Sequence, residues 1–173
     1  MNAAPRPKLP RALETDPRAP AVEAALAADA RPLWERGVVR VAHRPLTESL
    51  RRALAGAALR DALEQGLEGI EARLQSEQRG LDALRAKPGA PPPGAPRVSR
   101  LLVLASDGSQ RFYRDAEALL RRYEARLLGL RLDAPGDALG PAVLGREALA
   151  RALLIADRDA VGAVLLALVP PAP

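Results

Sequence analysis

The segment KPGAPPPGAP, residues 87–96, holds five prolines in ten positions. Proline has no backbone N–H and fixes φ near −65°, so neither a helix interior nor a central strand can run through it. The chain must finish its secondary structure before this segment and start again after it. Such a composition gives an extended spacer. The reading divides the 173 residues into a flexible, proline-punctuated lead-in (1–20), a strand-plus-helix unit (21–87), a linker (88–97) and an α/β unit (98–170). One domain of this length buries a usable core, whereas two half-length modules are each marginal alone.

Hydrophobic residues make up 48% of the chain but aromatic ones only 2%, so the core is built from Leu, Ala and Val. There is no cysteine, and His43 is the single histidine. Disulfides, thiol nucleophiles and Cys/His metal centres are excluded, and an imidazole-based catalytic triad would rest on His43 alone. No run of about 18 apolar residues suggests a membrane span. The opening MNAAPRPKLPRALETDP lacks the apolar segment of a secretory signal. The expected location is the cytoplasm, with no membrane contact, no cofactor and no metal.

AVEAALAADA (21–30) reads as a short helix begun after Pro20. VVRVA (38–42), bounded by Gly37 and Pro45, reads as a strand. A long helical region follows from an N-cap at Thr47, with Leu63, Leu67, Ile70 and Leu74 on one stripe and a break expected near Gly56 or Gly80. Glu77 falls on the seam of that stripe. Beyond the prolines, RLLVLAS (100–106) and RLLGLRLD (126–133) read as strands. The helix RFYRDAEALLRRYEA (111–125) lies between them, with Phe112, Ala116, Leu119, Leu120 and Tyr123 on its apolar face. DALGPAVLG gives a short helix or turn, a strand follows near 153–156, and Asp157 caps a closing helix. The alternation predicts an α/β fold: an α+β unit with a long helix, then a three-layer α/β unit around a small, mostly parallel sheet.

Arginine and lysine together number 26 against 21 acidic residues, a net charge of +5. An excess of Arg, Ala, Leu and Pro is also what a GC-rich genome writes, so distribution matters more than the total. Residues 31–60 carry seven basic and two acidic side chains, and 97–132 carry eight and four. The remaining blocks are neutral or acidic. A basic surface favours anionic partners such as nucleic acid.

The stretch 31–52 gathers Trp34, His43 and six arginines. No GxSxG elbow or comparable nucleophile accompanies His43, which reads as a strand-end residue, with Trp34 as a packing anchor. SDGS (106–109) stands between a strand and a helix, where a phosphate could sit on backbone N–H groups or Asp107 could hold Mg²⁺. An ordinary N-capped turn explains it more simply. LGPAVLGRE (139–147) lacks both the lysine of a P-loop and the third glycine of a dinucleotide fold.

LLVLASDGS, LLRRYEARLLGL, ALGPAVLGRE and ALLIADRDAVGAVL, in this order and over about 70 residues, resemble the kink-turn-binding ribosomal-protein family, as found in bacterial fusions with a YlxR domain. DARPLWERGVVRVAHRPLTESLRRAL resembles the YlxR stretch in which a turn, usually G-R-G, leads into a strand and a basic helix; here the turn is Glu35-Arg36-Gly37. The proline segment stands where the ribosomal-protein family has a Gly-rich, RNA-contacting helix. The resemblance implies a non-enzymatic RNA-binding or ribosome-associated protein, and points to Arg36, Gly37, Gly140, Gly145 and Arg146 as RNA-facing residues. Adding the arginines of the most basic block gives Arg31, Arg40, Arg44, Arg51 and Arg52 as further nucleic-acid contacts.

Binding led by arginine–phosphate contacts should be strongly salt-dependent and largely shape-specific, and the shortage of aromatics argues against a base-stacking platform of the kind used on single strands. Two other readings stand beside RNA or ribosomal-RNA binding. One is a protein-interaction module, or a homodimer through the helix at 57–85. The other is a small α/β nucleotide-binding enzyme using SDGS.

Overall fold

The computed structural model describes residues 7–171. In chain order the elements are α1 (Arg11–Glu14), α2 (Ala19–Ala28), β1 (Ala30–Pro32), β2 (Arg40–Arg44), α3 (Glu48–Leu59), β3 (Leu63–Gln65), α4 (Leu67–Arg85), β4 (Arg100–Leu104), α5 (Gln110–Arg122), β5 (Leu127–Leu132), α6 (Gly136–Leu144), β6 (Ala152–Ile155) and α7 (Arg158–Leu166). The α/β class expected from the alternation is the class observed.

All six strands form one sheet, in the order β1-β2-β5-β4-β6-β3. Alternation along β4 sends Leu101 and Val103 to one face and Leu102 and Leu104 to the other. The first face is covered by α1, α2, α3, α6 and α7, and the second by α4 and α5. The result is a three-layer sandwich.

The proline segment does not separate two cores. β2 pairs with β5, and β3 with β6, so strands from both sides of it share hydrogen bonds. The segment is an exposed loop over one edge of a single domain, which escapes the marginal stability of half-length modules.

The sheet is mixed rather than mostly parallel. β2–β5 and β4–β5 are parallel, while β1–β2, β3–β6 and β4–β6 are antiparallel. The reversal at β6 has a local cause. After α6 the chain runs back along that helix, with Ala150 N–H donating to the Gly136 carbonyl at 2.9 Å. β6 therefore enters at the edge where β5 left.

The lead-in is structured where it is described; residues 1–6 lie outside the described residues. Leu9 and Leu13 are buried in the core, and Lys8 exchanges backbone hydrogen bonds with Pro96 and Val98. The long helix breaks at 60–66, not at Gly56 or Gly80, both of which stay helical. Pairing of β3 with the edge of β6 forces the reversal, and Asp61 and Gly66 supply the two left-handed φ values of 54° and 82°. Thr47, Ser109 and Asp157 cap their helices as their sequence positions suggest. On α5 the apolar face takes Tyr113 rather than Phe112, which stands half-buried, edge-on to that ring.

The leucine stripe assigned to a second copy of the chain is spent at home. Ile70 and Leu74 are fully buried against the sheet beside Leu102 and Leu154. Those two positions are closed to a partner, whereas Leu59 and Leu84, toward the two ends of 57–85, remain exposed.

Candidate functional site

The arginines of 31–52 do not form one surface. Register places Arg31 opposite Val41, on the α5 side of the sheet, while Arg40 and Arg44 share the opposite face with Ala42. Most are also engaged. Arg31 pairs with Asp29 at 3.2 Å, and Arg40 donates to the Ala30 carbonyl at 2.6 Å. Arg51 forks onto Glu48 and Arg52 donates to it through Nε; the hydrogen bond from Arg51, reinforced by Arg52, lowers that carboxyl to about 2. Among the described residues Arg36, Arg44 and Arg146 have no carboxylate partner. Gly37 is tight for a packing reason: a Cβ there would stand 2.6 Å from Glu117 Oε2 and 3.0 Å from Trp34.

Trp34 and His43 are structural. The buried Glu117 of α5 accepts hydrogen bonds from Trp34 Nε1 and from the Val38 amide, both at 3.1 Å, and so fastens the β1–β2 loop to the second helical layer. His43 is 4% exposed. Arg131 lies over the Tyr113 ring, donates to the Ser106 carbonyl, and stands 3.2 Å from His43 Nδ1. A guanidinium only donates, so Nδ1 accepts and the ring proton belongs on Nε2.

Burial, then the charges of Arg131 and Arg31, lower the His43 pKa, with Asp133 and Asp29 opposing. A histidine depressed in the folded state contributes its full share of stability above its unfolded pKa of about 6.5, and that share is lost as pH falls below it. Chemical denaturation at a series of pH values should therefore show wild-type stability declining from pH ~7 to ~5, with a smaller decline in His43→Gln. Identical profiles would show that the imidazole is not the titrating group.

The SDGS turn is closed by its own chain. Asp107 Oδ1 accepts from the Gly136 amide at 2.9 Å, and Arg151 approaches Oδ2 at 3.4 Å. Ser106 N–H is taken by the Ala134 carbonyl, Ser109 caps α5, and the Gly108 amide donates to Tyr113 Oη. Through Asp107 and Ser109 the turn serves as a cap and a clasp between the starts of α5 and α6. LGPAVLGRE is likewise architectural in its glycines. Gly140 is buried against the backbone of Ala148, and Gly145 ends α6 in the left-handed conformation at φ 67°.

A large concavity lies at the opposite end of the central strands, where β4 and β5 begin. It has a volume of about 1280 Å³, with walls from α4, residues 10–12, residues 93–99, the end of α5 and the start of α7. Seven arginines line it: Arg11, Arg79, Arg85, Arg97, Arg122, Arg126 and Arg158. The only carboxylate among its lining residues is Asp159.

Local structure explains the gathering. α4 and α5 both end here, where cations complement the helix dipole, and Arg85 and Arg122 occupy their last turns. Arg97 anchors the wall: it donates to the Leu9 carbonyl and to Glu14, each at 2.7 Å. Arg126 is held by Glu77 at 2.8 Å and lies over the Tyr123 ring. Arg11, Arg79 and Arg158 have no carboxylate partner among the described residues and project into the cleft.

The block count missed this site because its arginines come from five separate stretches, of which only Arg97, Arg122 and Arg126 fall in the second basic block. The prolines were the better signal, since they build one wall.

No family model matches the chain, and no curated protein matches it. Solved structures similar to it at low identity include the following two. One is a protein with unknown function from Bacillus halodurans C, 16% identical, aligning 69% of this chain with 98% of that one at a TM-score of 0.47. The other is a Giardia lamblia 15.5kD RNA binding protein, 17% identical, aligning 69% of this chain with 81% of that one at a TM-score of 0.44.

Proposed function

We propose that this chain is a non-enzymatic nucleic-acid-binding protein, with RNA, ribosomal RNA included, as its partner, and that it holds phosphates with arginine side chains in the cleft. The carrying observation is that seven arginines and one carboxylate line a single concavity, with Arg11, Arg79 and Arg158 free of any carboxylate partner among the described residues. Arginine forks match phosphate oxygens, and a concave wall of one charge concentrates the field on an entering polyanion. Arg36, Arg44 and Arg146, each without a carboxylate partner, serve as outlying contacts in the same reading. The reading assigns no chemistry to His43, whose Nδ1 is engaged by Arg131, or to Asp107, which is engaged by the Gly136 amide and Arg151. The same reading takes the chain as a divergent relative of the YlxR-like and kink-turn-binding ribosomal-protein-like fusion, with the proline wall in place of that family's Gly-rich helix.

Arg79 and Arg158 are exposed on helices, so replacing them spares the core. Binding of total RNA should weaken steeply with salt, and each of Arg79→Ala and Arg158→Ala should lower the log–log salt slope by about 1. Absence of binding at low salt, or slopes unchanged in both variants, removes the cleft as a phosphate site.

A further inference from the structure

We infer that the cleft takes a single-stranded segment several nucleotides long, rather than the flank of a duplex; this rests on the nucleic-acid reading above. Three observations carry it. The first is size. A volume of about 1280 Å³ exceeds the roughly 300–1,000 Å³ of an ordinary small-molecule pocket. It continues along α4 into a second hollow of about 260 Å³ that shares Leu81, Ser99, Arg126 and Arg158 with it. A lone nucleotide would leave most of this groove unfilled, whereas a strand runs along it.

The second observation is shape. Duplexes are read by an element that projects into a groove of the nucleic acid. Here the protein is concave, so a convex duplex would rest on the rims and touch only the outermost arginines. An unpaired strand can descend to the floor.

The third is the chemistry of the walls. Leu81, Pro93 and Pro96 line the cleft together with the guanidinium groups. Unstacked bases can lie on arginine planes and apolar carbons, a surface of use only to bases not already stacked in a helix. Aromatics are therefore not required for stacking at this site. Gly80 fits the same role. It stands exposed within α4, a Cβ there would meet nothing within 4 Å, and it lines the second hollow. Glycine costs a helix about 1 kcal/mol relative to alanine and lets a ligand backbone come close.

The test uses the full chain and three fluorescent probes. These are a mixed-sequence RNA strand of about 12 nucleotides, its duplex with the complementary strand, and a polyglutamate of equal charge. Low-salt titration should show the single strand bound at least ten-fold more tightly than the duplex. Gly80→Phe, with its melting temperature checked against wild type, should weaken the single strand at least five-fold and leave duplex binding unchanged. Duplex binding equal to or tighter than single-strand binding overturns this inference and leaves the phosphate reading standing. An unchanged single-strand affinity in a folded Gly80→Phe also overturns it. If neither nucleic acid binds, or polyglutamate binds as tightly as RNA, the nucleic-acid reading itself falls.

Discussion

Gly140→Ala should lower folding stability by about 3 kcal/mol, near the upper end of what overpacking costs. A Cβ built at Gly140 overlaps the carbonyl of Ala148 and stands 2.6 Å from its carbonyl carbon. The obstacle is backbone, not a flexible side-chain tip, so relief requires moving the return segment that follows α6. That segment carries the Ala150–Gly136 hydrogen bond and leads directly into β6, whose residues Leu153, Leu154 and Ile155 are fully buried. Displacement there is felt on both faces of the sheet. Gly80→Ala is the matched control: it adds the same methyl to an exposed helix position with open space around it, and should be neutral or stabilising by up to about 1 kcal/mol. For a domain of this size the two variants should melt apart by roughly 6–15 °C. Equal melting temperatures would mean that the return segment yields without cost.

Glu77→Ala should lower stability by about 2 kcal/mol while strengthening polyanion binding, two effects of opposite sense from one side chain. Glu77 accepts hydrogen bonds from Arg100 at 3.0 Å and Arg126 at 2.8 Å, and Arg73 reaches it at 3.4 Å. Burial raises its pKa, but the bonds from Arg100 and Arg126 outweigh burial and hold the carboxyl below its ordinary value. Its contribution is complete above the ordinary carboxylate range and is lost as pH falls through that lowered pKa. Removing the carboxylate leaves two partly buried guanidinium groups without their anion. The side chains keep some contact with water, so the cost falls short of that for a fully buried pair. Glu77 also lines the second hollow, so its loss makes the groove more positive. Denaturation and low-salt RNA titration of the same preparation check both signs; weaker binding in a folded variant would place Glu77 among the ligand contacts.

Parts of this were legible in sequence. Glu77 was visible as a carboxylate on the seam of an apolar stripe, and the structure supplies its cations, Arg100 from β4 and Arg126 from just before β5. Thr47, Ser109 and Asp157 were readable as caps because an N-cap bond spans three residues. Leu101, Val103 and Leu153 announced buried strands by local apolar runs. The break at 60–66 was not legible, because β3 is three residues long and exists only through pairing with the edge of β6. Nor was the role of Gly140, whose obstacle lies in a segment that folds back onto it.

The candidate site divides the same way. Arg31, Arg36, Arg40, Arg44, Arg51 and Arg52 are neighbours in sequence, yet strand alternation and partners such as Asp29 and Glu48 disperse them. Arg11, Arg79, Arg97, Arg126 and Arg158 are far apart in sequence, and helix ends converging where the central strands β4 and β5 begin assemble them. The sequence by itself determined the α/β class, the helix starts, the aromatic-poor core and the positive charge, because periodicity, capping and composition are local quantities. Only the tertiary structure decided that one sheet spans the proline segment and which arginines face a common space, because strand order and the meeting of helix ends depend on contacts between residues tens of positions apart.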